Sequence, residues 1–541
     1  MDERYSGTGV PLWSAIDVFR RTLPKCQSVK RCRTRRFTFR IFALGELVMP
    51  FNHSALLRAL FVALLLPFVS LSFGSDYRSE KIRERTEETK DKGSSSTGKR
   101  SRRQRSHQKD DPRKRRNLGD EELRSLLADH GVEAIDTPQQ DSKHVSLGQL
   151  LFFDRIICGN NDTACATCHH PMANTTDMLS LGIGTGSPNL NEIGVFRGLG
   201  EDREFIPRNA PDIFNRGSRH WTSMFWDSRV STDGGNVISP AGASLPPELT
   251  SPLQIQAMFP PTSRDEMRGS HKDVLQGNKI ATFTDDDFTG IWNAIFDRIM
   301  QIEEYRILFA GAFPQVDEED LGFQHVAIAL AAFEAEAFGF SDSPFDEFLR
   351  GDKNAMSRAA KRGASLFFGK ATCSDCHTGT LLTDQQHHNL AVPQLGPGKD
   401  PVTGLDFGRS GVTGDDTDLY AFRTPPLRNV AATGPWMHNG AFTSLEDVID
   451  HHLDPERSLK KYDERVQLIQ PALRDTVLYD RDLRDSLLDY AAIDEIKLSR
   501  EEKHDLIEFL HSLTAPDLTN RLKALIPVSV PSGMLEDGLG Q

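Results

Sequence analysis

The chain has few cysteines and no long apolar segments, and both shortages limit what kind of protein it can be. Only seven of its 541 residues are cysteine. Cys26 and Cys32 come early in the chain, four others belong to two similar motifs, and only Cys158 is left over. A single spare thiol cannot support a disulfide framework. We expect Cys158 to pack as a small apolar residue, with a redox role as the alternative.

No apolar run in the sequence is long enough to span a bilayer comfortably. The run at 59–69 follows Arg58 and is succeeded by small residues up to Gly74. This pattern is typical of a secretory signal with cleavage after Gly74. We therefore predict a signal peptide at 49–74, an over-called start at 1–48, and a periplasmic or otherwise exported protein.

Apolar side chains are almost absent from residues 75–117. Within 76–117 there are 16 Lys and Arg but 8 Asp and Glu. Such a segment cannot bury a core, so we predict a basic disordered linker at 75–117, with a membrane-surface tether through 76–117 as the alternative. We expect no nucleic-acid partner for an exported chain. The whole chain carries −13 and its first 117 residues +15, which leaves −28 on residues 118–541. An acidic body favours a small basic partner protein.

The two similar motifs are Cys-x-x-Cys-His, at 165–169 and 373–377. In this spacing the thiols add to the vinyl groups of haem, and the histidine binds iron. A four-thiolate zinc site or a redox dithiol is the alternative, but the adjacent histidines and the separation of about 200 residues argue against zinc. We predict two covalently bound c-type haems, held by Cys165, Cys168 and His169 and by Cys373, Cys376 and His377.

The pattern of the remaining sequence is mainly helical. Apolar residues recur with helical spacing at 285–312, 324–338, 355–368, 445–452 and 500–513, and Ser444 is placed as an N-cap. Long irregular stretches separate these segments, at 180–270 and 378–440. Residues 146–153 and 362–368 form a weak repeat, one before each haem motif. We predict two cytochrome c-like haem domains at 118–345 and 346–515, followed by a C-terminal tail at 516–541.

Four further motifs accompany the haem sites: Arg-Asn-Ala-Pro at 208–211, Phe-Trp-Asp-Ser-Arg at 225–229, Phe-Arg-Thr-Pro-Pro-Leu-Arg-Asn at 422–429 and Gly-Pro-Trp-Met-His-Asn-Gly at 434–440. With them the chain resembles the bacterial di-haem cytochrome c peroxidase family, which includes MauG, over about residues 120–515. The resemblance implies that hydrogen peroxide reacts at the amino-terminal haem and that the carboxy-terminal haem transfers electrons.

The resemblance also implies roles for individual residues. Glu266 matches the carboxylate that moves a proton during peroxide cleavage, with Asp265 as the alternative, and Pro260 matches a proline of that pocket. Trp226 matches a tryptophan between the haems that assists electron transfer. A calcium ion is implied between the haems, at the positions Asn209, Thr433 and Pro435.

The axial positions of the two irons are predicted to differ. Some relatives have a second histidine about sixteen residues after the first proximal one, but residues 181–186 contain none, so we predict an open first haem on His169. For the second haem, the family has methionine or tyrosine fourteen residues after the histidine matched by His438. That position here is His452, which predicts ligation by His377 and His452, with Met437 and His451 as alternatives.

Three functions are compatible with this sequence. The first is an exported peroxidase that reduces hydrogen peroxide with electrons from a small basic donor protein. The second is a MauG-like enzyme that uses peroxide to oxidise side chains of a partner protein. The third, from a different class, is a non-catalytic di-haem electron carrier, which the missing histidine at 181–186 argues against.

Overall fold

The computed structural model describes residues 118–136, 138–233, 235–536 and 538. The predicted over-called start (1–48), signal peptide (49–74) and basic linker (75–117) lie outside the described residues. The described part is mainly helical, as predicted. None of its helices combines the length and the apolar character that crossing a bilayer requires.

The helices follow one another as α1 (Asp120–Asp129), α2 (Ser142–Phe153), α3 (Cys165–Cys168), α4 (Pro252–Ala257), α5 (Phe288–Ile299), α6 (Glu303–Ala312), α7 (Phe323–Ala337), α8 (Pro344–Leu349), α9 (Arg358–Phe367), α10 (Ser410–Thr413), α11 (Leu445–Leu453), α12 (Pro455–Lys461), α13 (Glu464–Gln467), α14 (Arg481–Asp489), α15 (Arg500–His511) and α16 (Leu518–Lys523). Short 3-10 turns join many of them. The segments 180–270 and 378–440 are largely irregular, in line with the sequence prediction.

Two small antiparallel sheets interrupt the irregular segments. One contains β1 (Ser223–Met224), β2 (Val230–Asp233) and β3 (Asn236–Ile238), in that order. The other pairs β4 (His387–His388) with β5 (Phe422–Arg423), with His387 opposite Arg423. The second sheet therefore joins the segment after the second haem motif to the Phe-Arg-Thr-Pro motif.

The helical spacing at 285–312 corresponds to two helices in the structure. α5 ends at Ile299, and Ile302 adopts an extended conformation before α6 begins. Glu303 and Glu304 occupy the first turn of α6, where acidic side chains interact favourably with the helix dipole. The predicted N-cap is confirmed, since Ser444 Oγ accepts a 3.1 Å hydrogen bond from the Asp447 backbone N–H.

The weak repeat in the sequence corresponds to a repeated helix crossing. A Cβ added to Gly148 in α2 would lie 1.9 Å from the carbonyl oxygen of Ala329 in α7. A Cβ added to Gly363 in α9 would lie 1.9 Å from the carbonyl oxygen of Asp505 in α15. Each glycine therefore lets two helices approach more closely than any side chain would permit. In each crossing, the helix that carries the glycine directly precedes a haem motif in the chain, α2 the first motif and α9 the second.

The two largest apolar cores do not follow the order of the chain. The first core is built mainly from residues 135–338, but it also contains Leu518 and Val530. The second is built mainly from residues 345–513, but it also contains Leu123 and Leu127 of α1. The segment predicted as a tail, 516–541, thus packs on the first core through α16.

Candidate haem and peroxide site

The first haem motif forms a short helix with its histidine directly behind it. In α3 the Thr167 hydroxyl accepts a 2.9 Å hydrogen bond from the backbone N–H of Ala164, and the His169 N–H donates to the Cys165 carbonyl at 3.0 Å. Nδ1 of His169 lies 3.2 Å from the carbonyl oxygen of Thr175, which can only accept. Nδ1 therefore carries the proton and Nε2 keeps a lone pair. Burial lowers the pKa of His169 to about 4, so the ring is neutral, as iron ligation requires.

The second haem motif repeats this arrangement. The His377 N–H donates to the Cys373 carbonyl at 2.9 Å, and Nδ1 of His377 lies 3.0 Å from the carbonyl oxygen of Leu382. Burial again lowers the pKa of the histidine to about 4. Both motifs thus present a neutral imidazole whose Nε2 is the available ligand atom, which fits two equivalent haem attachments.

The alternatives to haem are not supported by the geometry. The cysteines described in the structure are free thiols. Within the described ranges, the one cluster with metal-ligand spacing combines Cys376 with Asp384 and His388, and no site gathers all four motif cysteines. Burial raises the pKa of Cys165 and Cys168 far above the usual value for a thiol. Neutral buried thiols do not suit a reactive dithiol.

A cavity of about 470 Å³ lies beside the first motif. Its volume falls within the range of roughly 300–1,000 Å³ that is typical of ligand pockets. The predicted site residues that line it are Cys165, Cys168, His169, Asn209, Trp226, Pro260, Asp265 and Glu266. His169 is the one histidine among the described residues that line the cavity. The cavity therefore combines two thiols with one imidazole. This set fits a covalently attached haem that has no second histidine ligand.

Glu266 stands on a single turn of π-helix, Arg264–Arg268. The turn is closed by hydrogen bonds from the Arg268 N–H to the Ser263 carbonyl at 2.8 Å and from the Gly269 N–H to the Arg264 carbonyl at 3.1 Å. Such turns often occur at functional sites because they redirect a side chain. Burial raises the pKa of Glu266, although positive charges on neighbouring side chains oppose this shift. A half-buried carboxyl with a raised pKa can both accept and return a proton.

Asp265, the alternative to Glu266, also lines the cavity, and burial raises its pKa as well. It is nevertheless an exposed residue, whereas Glu266 is half-buried. A more enclosed carboxyl is better placed to exchange a proton with a bound substrate away from bulk water. The geometry therefore favours Glu266.

Trp226 connects the cavity with the second sheet. Its indole N–H donates to the Asn209 carbonyl at 3.0 Å, and its own carbonyl accepts from the backbone N–H of Arg423 in β5 at 2.8 Å. The next residue, Asp227, is buried and pairs with Arg208 at 2.6 Å. Burial alone would raise the pKa of Asp227, but Arg208 and further cations hold it well below the usual range. These contacts fix the tryptophan between the first cavity and the strand that follows the second haem motif.

Among the residues predicted for calcium, Asn209 has a side-chain oxygen to offer. Its side-chain NH₂ donates to the Leu179 carbonyl at 2.8 Å, which leaves the amide oxygen as a potential ligand. The Asn209 backbone N–H donates to the carbonyl of His438, which follows Thr433 and Pro435 in the chain, at 2.8 Å. Amide and carbonyl oxygens are the kind of donors that suit Ca²⁺.

The three candidates for the distal ligand of the second haem occupy different surroundings. Nδ1 of His452 in α11 lies 2.8 Å from the Val448 carbonyl, which leaves Nε2 available, and the proximity of His452 contributes to the lowered pKa of His377. Nε2 of His451 is engaged with the Leu390 carbonyl at 2.8 Å. Met437 packs on a separate apolar cluster. Nδ1 of His451 is also without a hydrogen-bond partner, but of the three candidates it is His452 whose proximity acts on His377.

Sequence reasoning missed several charged residues of the cavity, among them Glu334 and Lys399. Glu334 in α7 lines the cavity and is 7% exposed, and burial raises its pKa to about 8. The available signal was an acid on the apolar stretch of a helix. Lys399 also lines the cavity, and its ammonium lies 3.8 Å from the Asp227 carboxylate. No local signal marks it, because a loop beyond the second haem motif brings it there.

Comparison with known proteins agrees with this site. Residues 142–354 match the family model described as di-haem cytochrome c peroxidase. MauG, the methylamine utilization protein of Methylorubrum extorquens, is 31% identical over 313 residues, which cover 57% of this chain and 68% of that protein. The cytochrome c551 peroxidase of Pseudomonas aeruginosa is 29% identical over 303 residues, covering 56% and 69%.

A solved structure is also similar. The crystal structure of a MauG-like protein associated with microbial copper homeostasis is 26% identical, with a TM-score of 0.47, covering 72% of this chain and 94% of that chain. One conclusion follows from three findings. The two haem motifs have matching geometry, a cavity lies beside the first, and a relative is 31% identical over most of its length. The chain belongs to the di-haem cytochrome c peroxidase family that includes MauG, and it is an oxidoreductase of the peroxidase type that carries two c-type haems.

Proposed function

We propose that this chain is an exported peroxidase that reduces hydrogen peroxide at the haem on His169, with electrons passed through the haem on His377. The observation that carries the proposal is the first cavity, which combines both thiols, the one imidazole and Glu266. The predicted signal peptide and the covalent haem motifs support export. The predicted domains, 118–345 and 346–515, would hold the peroxidatic and the electron-transfer haem respectively.

The first haem, when bound, supplies the iron at which the O–O bond of peroxide is cleaved. Glu266 would accept the proton of the iron-proximal peroxide oxygen and return it to the distal oxygen, which then leaves as water. The raised pKa of Glu266 suits both steps, because a strongly acidic carboxyl would hold the proton too weakly to accept it. Phe259 and Pro260 line the same cavity and add apolar surface to its wall.

Trp226 would carry electrons between the two haems. Its ring lines the first cavity, and its backbone is joined to β5, which pairs with β4 beyond the second haem motif. The second haem would be held by His377 and His452. Two imidazole ligands lack the thioether that raises a haem potential, so we expect a lower potential than in a methionine-ligated haem. A calcium ion at Asn209, Thr433 and Pro435 would tie the two haem regions together.

A second candidate function is the MauG-like oxidation of side chains on a partner protein. The absence of any further histidine among the described residues of the cavity wall favours it, since no ligand has to leave before peroxide reacts. The acidic body of residues 118–541 is compatible with a basic electron donor or with a basic partner substrate. The two proposals share the reaction with peroxide at the first haem and differ in what supplies the electrons, a small donor protein or the side chains of a partner protein.

Turnover measurements distinguish these proposals. The haem-loaded protein is mixed with hydrogen peroxide in the presence of a reduced small basic cytochrome, and oxidation of the cytochrome is followed optically. Rapid catalytic oxidation supports the peroxidase. Fast reaction of the ferric protein with peroxide but no catalytic oxidation of the donor favours the MauG-like function. An unchanged Soret band and no turnover would overturn both.

A further inference from the structure

Residues 530–536 run alongside the first haem motif. Val530 is buried in the first core, and the Met534 carbonyl accepts a 3.1 Å hydrogen bond from the backbone N–H of Arg155. The Glu536 N–H then donates to the Phe153 carbonyl at 2.8 Å. These two backbone hydrogen bonds attach the segment to the end of α2 and the turn that follows it. We call residues 530–536 together with Gly538 the C-terminal strap.

Glu536 is the most enclosed charged group of the strap. It is 0% exposed, and its carboxylate accepts a 2.8 Å hydrogen bond from the Thr167 hydroxyl. Thr167 stands between Cys165 and Cys168, so this bond reaches into the haem attachment helix itself. The same hydroxyl accepts from the Ala164 N–H, which means that the bond to Glu536 also fixes the start of the helix.

Arg155 compensates the buried charge of Glu536. Its Nε lies 3.3 Å from the carboxylate, and its Nη2 donates to the Asn191 side chain at 2.7 Å. Burying an ion pair costs desolvation free energy that the attraction often only offsets. Such a pair is therefore a weak source of stability, and a role in fixing one local geometry is the better physical account of it.

Further contacts at both ends of the strap lie close to the first haem motif. At one end, the Ser532 hydroxyl bonds to Asp154, which also accepts a 2.7 Å hydrogen bond from the Tyr305 hydroxyl. At the other end, Gly538 passes so close to His170 that an added Cβ would lie 2.9 Å from its Nε2. His170 directly follows the proximal histidine. The strap thus extends from the end of α2 to the residue beside the iron ligand.

We propose that the C-terminal strap fixes the orientation of the first haem, and that Glu536 is a positioning residue that acts through Thr167. The proposal rests on attachment of that haem to Cys165, Cys168 and His169, as in the proposed function. A loosened attachment helix would let the proximal imidazole tilt and broaden the range of iron geometries. Partners of this kind around a metal ligand typically matter by roughly 10–100-fold in activity.

Thr167→Ala tests the proposal in the full haem-loaded chain, with Thr167→Ser as the conservative variant that keeps the hydroxyl. We expect Thr167→Ala to broaden the electron paramagnetic resonance signal of the first ferric haem and to leave the second haem's signal unchanged. Its reaction with peroxide should slow roughly tenfold. Thr167→Ser should have the first-haem signal and the reaction rate of the unmodified protein. Identical first-haem spectra in the two variants, with or without a lower melting temperature, would overturn the proposal.

Glu536→Ala provides a second approach from the strap itself, with Val528→Ala as its control because Val528 is 99% exposed. Glu536→Ala removes the oxygens that accept from Thr167, so it should alter the first haem's signal in the same direction as Thr167→Ala, whereas Val528→Ala should match the unmodified protein. Equal spectra for Glu536→Ala and Val528→Ala would count against the strap. These spectra are recorded before peroxide is added, so a failure of the strap and a failure of the peroxidase function give different results.

Discussion

Gly184 packs directly against the backbone of Glu266, and a Cβ at position 184 would lie 2.4 Å from the Glu266 carbonyl oxygen. The neighbouring Thr185 N–H donates to that same carbonyl at 2.9 Å. The loop in which some relatives have a distal histidine therefore serves here as the support of the π-turn that carries Glu266.

Gly184→Ala should slow the reaction with peroxide, because the added methyl group must displace the π-turn. Displacement of a catalytic group by about 1 Å can cost on the order of 100-fold in rate. Stopped-flow measurement of the Soret change gives this rate. Gly411→Ala is the matched control, since an added Cβ there meets nothing within 4 Å. Equal rates for the two variants would mean that Gly184 does not position Glu266.

Glu266→Gln should slow peroxide cleavage by about 100-fold or more, since general acid–base groups contribute roughly 10²–10⁴-fold. The amide keeps the shape of the side chain but can no longer exchange the proton. Asp265→Asn is the control, because Asp265 is the exposed neighbour on the same turn. Retained activity in Glu266→Gln combined with loss in Asp265→Asn would transfer the role to Asp265.

His452→Gly should convert the second haem from low spin to high spin in the electron paramagnetic resonance spectrum. The side chain with the free Nε2 would be gone, and His452 is the candidate whose proximity acts on His377. His451→Asn is the control, because it removes the neighbouring imidazole with its unpaired Nδ1 and leaves His452 in place. A low-spin second haem in His452→Gly would reject the assignment.

Glu334 should make the stability of the folded protein depend on pH. Burial raises its pKa from 4.5 to about 8, so the folded state keeps a proton that the unfolded state releases. The resulting stabilisation is full below pH 4.5 and is lost as the pH rises through 8, by at most about 1.4 kcal/mol per pH unit. Guanidinium unfolding at pH 5, 6.5 and 8 should show Glu334→Gln gaining stability relative to the unmodified protein. The same pH dependence of the unfolding free energy in both proteins would contradict this prediction.

Gly363→Ala should lower the free energy of unfolding by about 3 kcal/mol or more, because its Cβ would overlap the Asp505 carbonyl of α15. Gly311→Ala is a suitable control, since that helical position has no atom within 4 Å of an added Cβ. Chemical denaturation of both variants measures the difference. A small effect at Gly363 would imply that the helices can separate without cost.

Much of the candidate site can be predicted from the sequence, because its chemistry is encoded in short motifs. The haem motifs, Trp226 and Glu266 are found by spacing and resemblance, and the structure brings those around the first haem to one cavity. His452 is predicted by counting fourteen residues from His438, as the family resemblance implies, and it stays a prediction. Each of these signals lies within a short stretch of sequence, so it can be recognised without knowledge of the fold.

The contacts that sequence alone could not give join distant segments. Thr167 and Glu536 are 369 positions apart, and nothing in either neighbourhood indicates the other. Lys399 reaches the first cavity only because its loop folds across from the region after the second motif. The helix break before Glu303 was missed because the apolar periodicity continues on both sides of it. The contact of Thr167, the position of Lys399 and the helix break all depend on packing between distant segments.

The exchange of segments between the two cores has a consequence for how the protein matures. The first core contains Leu518 and Val530, so its packing is completed only after these late segments have been synthesised. The contact between Glu536 and Thr167 closes at the same late stage. The segment with Cys165 and Cys168 therefore reaches its final packing only when residues 518–536 have folded onto the first core.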